Sequence, residues 1–157
     1  PLMKRYTYWP QLFLGVTFNY GIILGWTAIN NEINLVPLLL YFGAIFWTLG
    51  YDTIYGFQDI KDDEIIGLKS TSIKFKKSPY VFLYVCYLIF FLTLIMIGFF
   101  MKLNNMYFIS LILIFLQLFY LQIKKLNIKS SKECLKIFKS NNYLGFFVFI
   151  ALLVGKT

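Results

Sequence analysis

The sequence predicts an all-α integral membrane fold with about five transmembrane helices. Two observations predict it. Of 157 residues, 59% are hydrophobic and only 14% charged, where a soluble chain of this size carries about 25% charge. The apolar residues also gather in runs of near bilayer-spanning length. Backbone in lipid must satisfy its own hydrogen bonds, which leaves helices or a closed barrel, and the ~10-residue alternation of barrel strands is absent.

The spans are expected at 10–29, 35–57, 79–101, 106–123 and 141–155. The first four are each about long enough to cross as helices, which takes about 20 residues. The last is short and is expected to reach back through Ile137 and Phe138. Residues 30–34 and 102–105 are tight polar turns suited to joining antiparallel neighbours. The other two connections are long, and long loops carry function more often than short ones. No internal repeat is present.

Charge orients the spans. Thirteen of the fifteen basic residues fall before the first span, after the second, or between the fourth and fifth; Lys102 and Lys156 are the exceptions. The positive-inside bias then places the N-terminus and both long loops in the cytoplasm and the C-terminus outside, as five crossings require. The net charge of +8 is explained by this bias and by anionic headgroups. A nucleic-acid partner is not expected, because no basic patch is interleaved with aromatics on a soluble face. With no histidine, zinc sites, histidine-ligated haem and Ser-His-Asp chemistry are excluded or nearly so. Cys86 and Cys134 lack C-x-x-C spacing and predict no disulfide. The chain starts at Pro1 without an initiator methionine, and is expected to be the downstream piece of something longer.

The chemistry is expected in YDTIYGFQDIKDDEIIGLKSTSIKF, residues 51–75, which holds five of the seven acidic residues. If the second helix ran on past Phe57, Asp59 and Asp63 would stand one turn apart. Asp52 would fall on nearly the same stripe, with Tyr55 about 60° to one side and Asp62 and Glu64 pointing elsewhere. A line of like charges needs a compensating cation. Oxygen donors without histidine or usable thiolate suit Mg²⁺, which is held by one or two carboxylates and takes further ligands from substrate phosphates. An intramembrane carboxylate such as Asp52 is expensive and tends to be functional. Asp62 and Glu64 read as a solvated surface.

The same stretch resembles the second aspartate-rich motif of the UbiA superfamily of intramembrane prenyltransferases, and is most similar there to the 4-hydroxybenzoate polyprenyltransferases of ubiquinone synthesis. The pattern YDT-x-Y-x-x-x-D-x-x-x-D-x-x-x-G-x-KST is met by Tyr51, Asp52, Thr53, Tyr55, Asp59, Asp63, Gly67, Lys69, Ser70 and Thr71. PLMKRYTYWPQLFLG (1–15) is similar to the segment before that family's fifth helix, and SKECLKIFKSNNYLG (131–145) to the approach to its ninth and last. The resemblance implies a nine-helix bundle of which residues 1–157 supply helices five to nine, the C-terminal half of a single prenyltransferase domain. The family's first aspartate motif is not in this sequence, so the chain is expected to be inactive alone, and a separately encoded N-terminal half would complete it.

By the same resemblance, Asp59 and Asp63 would bind Mg²⁺ and through it a polyprenyl diphosphate. Lys69 and Arg5 would meet an anionic group; Arg5 could instead hold the carboxylate of the aromatic acid, since a guanidinium matches a carboxylate well. Asp52 and Tyr55 would line the cavity, and Lys4 is assigned to anchoring. The implied reaction is Mg²⁺-dependent transfer of the polyprenyl group to the ring of 4-hydroxybenzoate, in the bacterial or mitochondrial inner membrane. The alternatives are another acceptor (a naphthoate, homogentisate or haem) or a non-enzymatic transporter or assembly fragment.

Overall fold

The computed structural model describes residues 2–156; Pro1 and Thr157, the outermost residues of the expected domain, lie outside the described residues. The described chain is helical, with no strand among those residues. A short α1 (Met3–Tyr6) leads into α2 (Pro10–Phe18) and α3 (Gly21–Asn30), which together form the first span. Then follow α4 (Leu35–Gly56), the short α5 (Ile60–Ile66) and α6 (Thr71–Lys74), and α7 (Pro79–Phe100). Next come α8 (Asn105–Phe115), continued by a π-helical segment Leu116–Lys124, and α9 (Ser131–Lys156). Five helices are long and apolar enough to cross a membrane, as expected.

The polar turns stop and restart these helices by local chemistry. Asn31 closes α3 in the left-handed conformation, which asparagine tolerates better than most residues. Asn34 caps α4 by accepting from Val36 N, and Asn104 caps α8 by accepting from Met106 N and Tyr107 N; each satisfies helix-start amides that would otherwise be orphaned. Asn104 also donates through Nδ2 to Val154 O at 2.9 Å and through its backbone to Gly155 O at 2.9 Å. The α7–α8 turn is thereby tied to the end of α9.

Two spans depart from expectation. The first is broken at Asn19 and Tyr20, because other groups take the carbonyls near the break. Asn19 Nδ2 donates to Gly15 O at 2.8 Å and reaches Thr48 Oγ1 at 2.8 Å, and Tyr41 OH donates to Val16 O at 2.8 Å. The fifth begins at Ser131, not 141, so most of the expected basic loop is the first turns of α9.

α4 and α7 form the centre. The seam closes tightly at Gly50, where a Cβ would run into the Tyr87 ring; small residues at such seams let transmembrane backbones approach. Leu49, Leu83, Phe90 and Leu94 fill the contact, and Leu118 and Leu144 extend it to the π-helical segment and α9. The outer faces keep large apolar side chains exposed, such as Phe99, Ile112 and Phe149, as lipid-facing surfaces do. One buried polar chain crosses the core: Tyr87 OH donates to Gln122 Oε1 (2.6 Å), Gln122 Nε2 to Asn141 Oδ1 (2.9 Å), and Trp47 Nε1 to the same Asn141 oxygen (2.8 Å).

Candidate active site

The motif segment folds back on the end of α4 through buried hydroxyls. Thr53 Oγ1 donates to Leu49 O at 2.6 Å and lies 2.6 Å from Thr71 Oγ1. Ser72 Oγ donates to Thr53 O at 2.8 Å, and Thr71 N donates to Gln11 Oε1 on α2 at 3.1 Å. Thr53, Thr71 and Ser72 are all fully buried. Ser70 caps α6 by accepting from Ile73 N. Gly67 ends α5 at φ 76°, a left-handed conformation that glycine adopts without strain, and turns the chain toward Lys69. These small polar residues therefore form a latch that joins α2, α4 and α6 and fixes where Asp52 and Lys69 emerge.

Around the latch the charged residues gather unevenly. Lys4 Nζ lies 3.0 Å and 3.4 Å from the two oxygens of Asp63, which is only 7% exposed. Lys69 N donates to Lys4 O at 2.7 Å, while its ammonium reaches Tyr6 O at 3.5 Å and sits 5.7 Å from the Tyr8 ring centre. The N-terminal segment is thus strapped across α5 and the KST turn. A cavity of about 420 Å³ opens beside it, lined by Lys4, Gln11, Thr17 and Asp52 among others.

α4 does not continue to Asp63. It stops at Gly56, and a new helix begins after Asp59, so Asp52 shares no helix with the other two carboxylates. The cause is the latch, which turns the chain back to seat Thr71 and Ser72 against Thr53. Asp59 and Asp63 remain one turn apart, joined by the Asp63 N to Asp59 O bond of 2.9 Å. Asp59 itself is exposed and makes no capping bond with its side chain. Tyr55 stands apart, its ring 4.7 Å from that of Phe138 on α9. Arg5 is exposed, and its guanidinium meets no partner among the described residues. Glu64 pairs with Lys76 at 2.8 Å, away from Asp63.

Sequence reasoning missed Lys4 and Gln11. Lys4 was assigned to anchoring, yet it is the cation on Asp63. Its position beside Arg5 in the quoted N-terminal segment was the available signal. Gln11, a buried glutamine at the start of an apolar span, had a signal in its polarity alone.

A metal would find oxygen donors here. The buried Asp63 carboxylate needs a compensating cation and has one in the Lys4 ammonium, and Asp59 lies one turn before it. No group of three or more metal-ligating residues is gathered among the described residues. The donor set fits a hard divalent ion that takes one or two protein carboxylates and fills the rest of its shell from water and phosphate.

The chain is similar to proteins named 4-hydroxybenzoate polyprenyltransferase. It is 41% identical to the mitochondrial enzyme of Bos taurus over 156 residues, covering 99% of this chain and 42% of that protein. For the mitochondrial enzyme of Arabidopsis thaliana the identity is 40% over 160 residues, with 100% and 39% covered. For the 4-hydroxybenzoate octaprenyltransferase of Pasteurella multocida it is 39% over 155 residues, with 99% and 53% covered. The chain thus spans about two-fifths to one half of the length of these relatives. No solved structure matches it. The UbiA prenyltransferase family matches residues 1–153, and the chain belongs to that family.

Proposed function

We propose that the chain is the C-terminal half of a prenyltransferase that moves a polyprenyl group from its diphosphate to the ring of 4-hydroxybenzoate, in ubiquinone synthesis. The observation that carries this reading is the latch. Residues 67 apart in sequence, Lys4 and Thr71, belong to one strapped assembly that gathers Asp52, Asp63 and Lys69 at one end of an apolar bundle. A substrate with a long apolar tail and a charged head needs that combination.

Asp59 and Asp63 would hold Mg²⁺, which when bound supplies positive charge to a diphosphate leaving group. Lys69 adds ammonium charge on the same side, favouring departure of the diphosphate as the allylic C–O bond breaks. Arg5, exposed and without an ion pair among the described residues, is available to a carboxylate or phosphate oxygen. The electron-rich ring carbon ortho to the hydroxyl then forms the new C–C bond, and its proton is lost. The surrounding apolar helices keep water from the electrophilic carbon. Tyr55, packed on Phe138, would act by shaping the wall next to α9. The basic end would face the cytoplasm or mitochondrial matrix, in the inner membrane.

The test is prenyl transfer from a radiolabelled allylic diphosphate to 4-hydroxybenzoate in membranes, with Mg²⁺ and then with EDTA. The chain is assayed alone and with the N-terminal remainder of a relative supplied in trans. Mg²⁺-dependent product with both parts and none with this chain alone is expected. Turnover by the chain alone would refute the half-site reading, and product only with a naphthoate, homogentisate or haem acceptor would refute the choice of acceptor.

A further inference from the structure

We propose that a second cavity at the same end of the bundle, distinct from the Asp63–Lys4 pair, binds a phosphate group. This cavity, about 620 Å³, lies between the α4–α5 link and the start of α9. Its polar lining is Gln58, Lys61, Lys76, Lys129 and Ser131, with no carboxylate among the lining residues.

The charge of the lining points to an oxyanion. Lys76 is neutralised by Glu64 at 2.8 Å, but Lys61 and Lys129 have no ion pair among the described residues. Ammonium groups brought to one concave wall repel one another, and an anion between them turns repulsion into attraction. A phosphate offers several oxygens at once to ammonium donors, and charge-assisted bonds of this kind are the strong ones.

The cavity wall is built, not incidental. Ser131 Oγ donates to Gln58 O at 3.2 Å, which joins the first residue of α9 to the α4–α5 link. Separation from the first site follows from helix geometry. Lys61 and Asp63 are two residues apart on α5 and so project about 200° apart around its axis. Lys4 takes the Asp63 flank, and the cavity takes the Lys61 flank. The phosphate could belong to a membrane phospholipid headgroup or to free mono- or diphosphate, since both present the same oxyanion.

Lysine acetylation footprinting on the full chain tests this, in a maltoside detergent that carries no phosphate. One arm adds inorganic diphosphate without divalent metal; the other adds phosphatidic acid. In at least one arm, acetylation of Lys61 and Lys129 should slow about tenfold at near-saturating probe, while Lys132 and Lys139 are unchanged. The arm that protects identifies the source. Lys129→Gln should remove most of the protection at Lys61, with unchanged tryptophan fluorescence showing that the variant folds. Lys61 unprotected in both arms would overturn the proposal. So would equal slowing at every lysine, which reports only diffuse surface charge, or full protection of Lys61 retained in Lys129→Gln.

Discussion

Replacing Thr53 by valine keeps nearly the same shape and removes one hydroxyl from the centre of the latch. The consequence follows from where the hydrogens go. Thr53 Oγ1 has one proton and donates it to Leu49 O at 2.6 Å. The 2.6 Å contact between the two hydroxyls therefore needs Thr71 as donor. Thr53→Val leaves the Thr71 hydroxyl buried with nothing to donate to, a loss of about 1–3 kcal/mol. Thr71→Val removes that donor itself and leaves Thr53 bonded to Leu49 O, so the loss is the smaller net value of about 0.5–1.5 kcal/mol. The double variant should cost less than the two losses added, because the residues share one bond. Hydrogen exchange at the α6 amides of Ile73 and Lys74 in detergent reads the undocking directly. Thr53→Val should speed it on the order of ten- to a hundredfold, and Thr71→Val by about tenfold or less. Equal effects from the single variants, or strict additivity in the double, would refute the hydrogen assignment and with it the latch.

Further outcomes are expected elsewhere. In an enzyme completed in trans, Asp59→Ala and Asp63→Ala should abolish prenyl transfer while Asp62→Ala costs much less; equal losses would contradict the proposed roles. Asp63→Asn should loosen the N-terminal strap by no more than ~1 kcal/mol, since the Lys4 side chain is 39% exposed, and faster tryptic cleavage after Lys4 would report it. Asn141→Leu orphans the Trp47 and Gln122 donors together; a loss of roughly 1–3 kcal/mol is expected in a detergent unfolding titration, with a shift in Trp47 emission. Cysteines placed at Lys102 and Lys132 should react with a membrane-impermeant maleimide from opposite sides, and labelling from one side would refute the proposed topology.

The number of spans and their polar turns were legible because hydropathy and capping are local. A run of apolar residues is long enough to cross or it is not, and Asn34 and Asn104 cap through amides only two or three residues away. The N-terminal extent of α9 was less legible. Its first turns carry the lysines that also mark a loop, and composition does not separate a basic helix end from a basic connection.

By itself, then, the sequence determined an all-helical membrane chain, a basic end, the family motif and the residues that compose it. The tertiary structure alone decided that α4 stops at Gly56, that Asp52 is separated in helix from Asp59 and Asp63, and that Lys4 is the counter-ion of Asp63. It also decided that the KST hydroxyls are structural partners of Thr53, and that a lysine-lined cavity lies on the opposite flank of α5. The reason is range. Lys4 and Asp63 are 59 residues apart, and Trp47 and Asn141 are 94 apart. Whether such pairs meet depends on how each helix is rotated and where it breaks, and packing against the other helices sets both.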